Sequence, residues 1–278
     1  MTEIGANESE FRVVVPGSET GVIHLSWASL TDVGNRRAAN EDSFIASPPI
    51  FAVADGMGGH LAGDRASAAV VNRLSEALTS DFLDPEAIER ALELATDDIE
   101  IVSNGSEIGV GTTVTGAVLT IHENEPYLAV FNIGDSRVYR YEEGSLEQIT
   151  VDHSLVQQMV ESGLITQAQA HNHPEGNVIT RAVGFQSQPT PDYWLVPLRA
   201  GLRVLVCSDG LTGEIDDERL SALLSAEQPP QQTAKTLVDA ALEEGGRDNI
   251  TVIVLDVIEA PVSAETGATA PGASRGAS

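Results

Sequence analysis

Four aspartates stand at the borders of apolar, β-branched runs: Asp55 after IFAVA, Asp135 in NIGDSRVY, Asp209 after RVLVCS, and Asp248 in GRDNITV before the last run. Singly, each is a good turn residue, because Asp-Gly and Gly-Asp-Ser favour tight turns. Together they are four carboxylates that converge if those strand ends meet at one edge of a layered core. Converging carboxylates repel and cannot all stay ionised without compensation. Hard divalent cations supply it: Mg²⁺ or Mn²⁺ takes carboxylates, backbone carbonyls and waters in an octahedral shell. A second cluster, TDVGNRRAANEDSF at 31–44, carries Arg36, Arg37, Glu41 and Asp42. Alone it reads as a surface salt-bridge cluster. Beside a metal-bearing edge it offers an arginine fork suited to holding a phosphate bidentately.

Other chemistries fail on the residues present. There is no GxxxxGK[ST] phosphate loop, and GVGTTV at 109–114 has Val114 where a dinucleotide fingerprint needs its last glycine. No window carries the alternating acids of an EF-hand, and His171 and His173 lack zinc-ligand spacing and lie in a polar loop. Cys207 is not followed by the arginine of a cysteine-phosphatase loop and reads as a core residue. No GxSxG elbow is present. The acids must therefore be gathered by the fold and not by one loop.

The elements that would gather them are strand-like runs at 24–30, 50–54, 112–121, 127–133, 137–141, 193–198, 203–208 and 250–257. Helical spacing is expected at 64–79, 84–102, 154–162, 216–225 and 231–244, with Asp84 and Ser154 as N-caps. Short glycine-containing turns between runs favour antiparallel pairing. Strands in runs and helices in pairs point to an α+β fold of packed sheets covered by helices.

The 278 residues can bury a sizeable core, and no apolar run approaches the ~20 residues of a membrane helix. One cysteine excludes an internal disulfide framework and suits a reducing cytoplasm, and MTEIGANESE has no secretory-signal pattern. With 42 acids against 15 bases, net charge −27 and Lys235 the only lysine, a nucleic-acid partner is not expected. Residues 1–22 read as a flexible acidic segment, 23–259 as one domain, and 260–278, rich in Ala, Gly, Ser and Thr, as a disordered tail.

Eight stretches in order carry a resemblance: TDVGNRRAANEDSF, FAVADGMGGH, GVGTTVTGAVL, NIGDSRVYRY, TVDHSLVQQMVESGLIT, HPEGNVITRAVG, VLVCSDGLT and GGRDNITVIVLDV. With these, the chain from about Leu25 to Asp256 resembles the bacterial branch of the metal-dependent protein phosphatase 2C family. The resemblance implies a four-layer αββα sandwich, two packed, mainly antiparallel β-sheets flanked by helix pairs, with a binuclear Mn²⁺ or Mg²⁺ site at one end. It implies that Asp55 bridges the metals, that Gly56 gives its carbonyl to one, and that Asp209 and Asp248 complete the first. Glu41 and Asp42 would hold the second metal or its waters, and Asp135, with Asp209, a third. Arg37 takes the place of the phosphate-binding arginine; Arg36 does not align with it. Residues 152–185 would form a flap where substrates are selected.

The expected activity is hydrolysis of phosphoserine and phosphothreonine in proteins, by a hydroxide shared between two metals about 3.5–4 Å apart, opposite a cognate serine/threonine kinase in the cytoplasm. Where animal members have a histidine two residues after the bridging aspartate, this chain has Met57. The general acid is thus unassigned, with a water on the metals and His60 as candidates. The alternatives are a phosphoprotein-binding module of the same fold, weak in catalysis, a phosphatase of small phosphoesters, and a regulatory phosphatase acting on one anti-sigma-factor antagonist.

Overall fold

The computed structural model describes residues 1–18, 20–58, 62–103, 109–170, 173–185 and 189–261. Its first half runs β1 (Glu3–Gly5), β2 (Glu8–Val14), β3 (Val22–Asp32), β4 (Asp42–Ser47), β5 (Ile50–Met57), α1 (Gly63–Glu76), α2 (Pro85–Ser103), β6 (Gly111–Thr112), β7 (Val114–His122) and β8 (Glu125–Ile133). The second half runs β9 (Arg137–Glu142), β10 (Ser145–Gln148), α3 (Leu155–Glu161), α4 (Gln167–Ala170), β11 (Asp192–Pro197), β12 (Arg203–Cys207), α5 (Asp209–Thr212), α6 (Asp217–Leu224), α7 (Pro230–Glu244) and β13 (Ile250–Glu259).

One sheet has the order β1-β4-β5-β7-β8-β11, with β6 added on β5, and the other β10-β9-β12-β13-β3-β2. The pairing is antiparallel except between β1 and β4. The apolar run IFAVA is explained by burial on both faces. Phe51 and Val53 pack between the sheets with Leu119, Val204 and Ile253, while Ile50, Ala52 and Ala54 pack under α1 and α2 with Val70 and Leu92. A strand covered on both sides needs no polar alternation. β12 repeats the pattern, with Val204 and Val206 inward and Leu205 and Cys207 toward Leu237 of α7. Helices on sheet on sheet on helices is the expected four-layer architecture.

The helices start where their sequences stop being extended. Ser154 accepts from the Gln157 N–H at 3.2 Å to open α3, and Asp216 accepts from the Arg219 N–H at 2.9 Å to open α6. No helix among the described residues is long and apolar enough to cross a membrane.

The N-terminal segment differs from the expectation of a flexible stretch. Glu3–Gly5 pairs with Phe44–Ala46, and Glu8–Val14 pairs with β3, so the segment crosses from the edge of one sheet to the edge of the other. Its acidic composition hides a period of two: Val13 and Val15 are buried, and Phe11 packs edge-on against Trp27 at 5.5 Å. The charges fall on the outer face of edge strands, where they discourage further pairing. From residue 262 the expected disordered tail lies outside the described residues.

Candidate active site

Because β4/β5, β7/β8 and β12/β13 are antiparallel pairs, the start of β4, the end of β5, the β8–β9 turn, the end of β12 and the start of β13 share one end of the sandwich. There Arg37, Glu41, Asp55, Gly56, Asp135, Asp209 and Asp248 line a cleft of about 290 Å³, together with Met57, Thr113, Asn177 and Ile179. Asp55 does not end its strand, as the sequence suggested; β5 runs on to Met57 and its last residues pair with β6. Asp42 is not on the cleft wall. It lies behind, directly opposite Asp55 in the β4–β5 register, and is 1% exposed.

Asp42, Asp55 and Asp248 have identifiable holders. Asp42 Oδ2 accepts from Thr251 Oγ1 at 2.6 Å and Ser208 Oγ at 2.9 Å. The Asp55 backbone is fixed by Thr113, whose Oγ1 accepts the Asp55 N–H at 3.1 Å and whose N–H donates to the Asp55 carbonyl at 2.9 Å. Asp209 opens α5 directly after β12. Asp248 accepts the Asn249 N–H at 2.8 Å on one oxygen and Arg37 Nη2 at 2.6 Å on the other. Asn249 also accepts the Glu41 N–H at 2.8 Å and donates Nδ2 to the Val33 and Ala39 carbonyls at 3.0 Å each. The loop bearing Arg37 and Glu41 is therefore sewn to the start of β13. Ser208, Asn249, Thr251 and Thr113 went unread in the sequence. Ser208 and Asn249 are the polar sequence neighbours of Asp209 and Asp248, whereas Thr113 and Thr251 reach Asp55 and Asp42 only through the fold, so no local spacing marks these two.

Gly56 is required by a close approach. A Cβ there would collide with the carbonyls of Gly63 and Glu41. The glycine thus seats the β5 end against the first turn of α1.

The electrostatics are those of crowded carboxylates. Burial, then repulsion from Asp42, Asp209, Asp135 and Asp248, pushes the Asp55 carboxyl well above the usual range. Burial raises Asp42 to about 7 against the hydrogen bonds from Thr251 and Ser208. Asp135 is raised by burial and by Asp209, and Asp209 by burial and by Asp248. Arg37 is raised, chiefly by its bond to Asp248.

Whether this donor set fits a divalent cation is answered by its leftover acceptors. Asp42 Oδ1 and Asp209 Oδ1 are buried with no hydrogen-bond partner among the described residues. Buried acceptors of that kind are costly unless something meets them. All side-chain donors of the set are hard carboxylate oxygens, which is the chemistry of Mg²⁺ and Mn²⁺. The cage is not closed in advance: among the described residues no three His, Cys, Asp or Glu side chains stand close enough together to ligate one ion. The fit rests on oxygen chemistry, orphaned oxygens and crowded charge. His60 lies outside the described residues.

A second cavity of about 390 Å³ adjoins the cleft and shares Asp135, Asn177 and Asp209 with it. Its walls come from α3, α4 and the stretch before β11 on one side and from α5 and the start of α6 on the other.

A family model of protein phosphatase 2C matches residues 36–245. The serine/threonine phosphatase stp of Listeria monocytogenes serotype 4b is 35% identical over 239 residues, which is 81% of this chain and 93% of that protein. The serine/threonine protein phosphatase PstP of Mycobacterium tuberculosis is 39% identical over 249 residues, covering 84% of this chain and 45% of that longer protein. Among solved structures, the catalytic domain of PstP in complex with two manganese ions superposes with a TM-score of 0.74 at 36% identity, covering 85% of this chain and 99% of that one.

Proposed function

Because this chain belongs to the protein phosphatase 2C family, we propose that it hydrolyses phosphoserine and phosphothreonine in proteins with Mn²⁺ or Mg²⁺ in the acid cleft. The observation that carries the reading is the convergence, at one end of the sandwich, of acids from both sheets with an arginine at their rim. Asp55, Asp209, Asp248 and the Gly56 carbonyl are the proposed holders of one cation, with Asp55 shared by a second. Glu41, on the cleft wall, and Asp42, behind it, would hold the second or its waters. Asp135 and Asp209 are the pair for a third. When bound, such cations supply positive charge to phosphoryl oxygens and lower the pKa of water toward neutrality.

The chain's own residues do the rest. Arg37, with its side chain 52% exposed and one nitrogen tied to Asp248, presents its remaining donors to an incoming phosphoryl group. That tie orients the fork before substrate arrives, so less side-chain freedom is lost on binding. Met57 lines the cleft and can carry no proton, so the leaving oxygen receives its proton from elsewhere than this position. Residues 152–185 are the proposed substrate-selecting flap, and the adjoining groove gives polypeptide flanking the phosphoresidue a place to lie. A phosphoprotein substrate requires a kinase to make it, and a serine/threonine kinase is the proposed opposing partner. A fully buried lone Cys207 is compatible with the reducing cytoplasm we propose as its compartment.

The test is turnover of a phosphothreonine peptide and of p-nitrophenyl phosphate, with Mn²⁺ and with a chelator. Metal-dependent cleavage of both is expected. Activity that persists in chelator sinks the metal reading. Cleavage of the small ester alone favours a small-phosphoester enzyme, and peptide binding without turnover favours a binding module.

A further inference from the structure

His153 is a buried polar residue that the proposed chemistry does not use, and all of its polar groups are engaged. Its N–H donates to the Gly134 carbonyl at 2.8 Å, and its Nδ1 accepts the Gly134 N–H at 3.0 Å. Gly134 is the residue before Asp135, at φ +114°, in the β8–β9 turn. Toward the other side, the His153 carbonyl accepts the Thr180 N–H at 2.7 Å, and Nε2 lies 3.0 Å from Asp192 Oδ2. Arg181 Nη1 is 3.0 Å from Asp192 Oδ1 and 2.8 Å from His153 Nε2.

The tautomer follows from this pattern. Nδ1 faces a backbone donor and must carry its lone pair, so the ring is neutral with its proton on Nε2. Nε2 then donates to Asp192 and cannot also accept from Arg181, whose hydrogen bond goes to Asp192 Oδ1. One imidazole therefore joins the turn that presents Asp135 to the first residue of β11 and, through Asp192, to Arg181 in the proposed flap.

We infer that His153 is a positioning residue for Asp135: by accepting the Gly134 N–H at Nδ1 it holds the turn that aims this acid into the cleft. The inference rests on the reading of Asp135 as a cation-binding acid. Gly134 sits at φ +114° with its N–H on His153 Nδ1, and its carbonyl accepts from the His153 N–H and from Asn132 Nδ2 at 3.0 Å, so His153 meets both polar groups of the turn residue.

Side-chain isosteres separate the two ends of the ring. His153→Asn keeps an acceptor near the Nδ1 position and loses the reach to Asp192, whereas His153→Gln keeps the reach and loses the Nδ1 acceptor. Two measurements are made on each, and on His153→Ala and Asp135→Asn: exchange of the Gly134 amide by NMR in the Mg²⁺-loaded protein, and the Mn²⁺ concentration giving half-maximal turnover of p-nitrophenyl phosphate. Glutamine and alanine should raise the half-saturating Mn²⁺ by about tenfold, as loss of an outer support of a metal ligand does. They should also speed Gly134 exchange by about tenfold, as loss of one hydrogen bond does. Asparagine should stay within about twofold of the unsubstituted protein on both measures, since it keeps the bond in question. A merely structural role would lower melting temperature without this split. Equal Mn²⁺ requirements in the Asn and Gln variants, or unchanged Gly134 exchange in the Gln variant, would overturn the inference. An unaltered Mn²⁺ requirement in Asp135→Asn would overturn it together with the role of Asp135. Absence of turnover in the unsubstituted protein would strike the phosphatase reading, and Gly134 exchange alone would then decide whether His153 holds the turn.

Discussion

At one end of the antiparallel pair β12–β13, Arg203 and Asp256 face each other in register, and the guanidinium makes five hydrogen bonds, to both Asp256 oxygens, the Leu224 and Gln228 carbonyls and Thr233 Oγ1. At the other end, Asp209 and Asp248 flank the same strands beside Asp42, Asp55 and Asp135, and Asp209 Oδ1 and Asp42 Oδ1 have no partner among the described residues. β12 is buried along its whole length, so burial alone does not set its two ends apart. What differs is whether the charges are answered inside the fold. The Arg203 end is complete by itself and contributes order. The Asp209 end is in internal conflict, and such conflict persists where a ligand resolves it.

The largest effect should come from removing a charge at the conflicted end. Asp209→Asn is expected to lower Mn²⁺-dependent turnover by on the order of 1000-fold, the scale of several kcal/mol that a correctly held cation supplies. In chelator the same variant should melt no lower than the unsubstituted protein, and higher by the equivalent of about 1 kcal/mol, because one buried repelling carboxylate is gone. A large loss of stability in chelator would mean that Asp209 is structural and the comparison is wrong. The reverse pattern is expected at the far end. Arg203→Met strands Asp256 without its cation and should cost about 3–5 kcal/mol in chemical denaturation. Turnover per folded molecule with Mn²⁺ should be unchanged. A fall in that turnover would show that the two ends are coupled.

These two ends were unequally legible. IFAVA, RVLVCS and ITVIVLDV read as strands because burial on both faces makes them continuously apolar, and their border acids stood out against that background. DSFIAS did not stand out, although β4 is almost wholly buried, because its flanking serines look like loop; Ser43 in fact pairs with Ser67 of α1 at 3.0 Å. β2 was hidden by its acids. The order of strands in each sheet is non-local information, so the meeting of Asp55 with Asp209 could be expected only if those ends converged. Asp42 behind the wall, and Asn249 sewing the Arg37 loop to β13, depend on side-chain geometry that no spacing encodes. Arg203 and Asp256 are 53 positions apart, and nothing in their local sequence announces the pair.

Arg37 stands between the two kinds of end, since it answers Asp248 with one nitrogen and leaves the rest to solvent. If it belongs to the ligand-directed side, Arg37→Ala should lower kcat/KM for a phosphothreonine peptide by about 10- to 100-fold, the range for charged hydrogen bonds. Stability in chelator should move by less than about 0.5 kcal/mol, as for an exposed pair. Unchanged kcat/KM would remove its phosphate role and return it to the structural side.

The smallest expected effect carries the comparison to pH. Asp192 is an answered acid: the hydrogen bond from His153, and then Arg181, hold its carboxyl down to about 2 from the ordinary 3.8 in spite of partial burial. A folded-state value below the unfolded one means that this stabilisation is fully present above about pH 4 and is lost as pH falls through 2. The conflicted acids have the opposite sign, since Asp55, Asp135 and Asp209 are raised and oppose folding when ionised. In chelator, the gap in melting temperature between the unsubstituted protein and Asp192→Asn should be about 2 °C and steady above pH 4, the scale of a half-exposed pair in a domain of this size. It should close between pH 4 and pH 2. A gap that persists to pH 2 would mean that Asp192 acts through packing and not through charge, and that the answered acids of this fold are not marked by lowered titration.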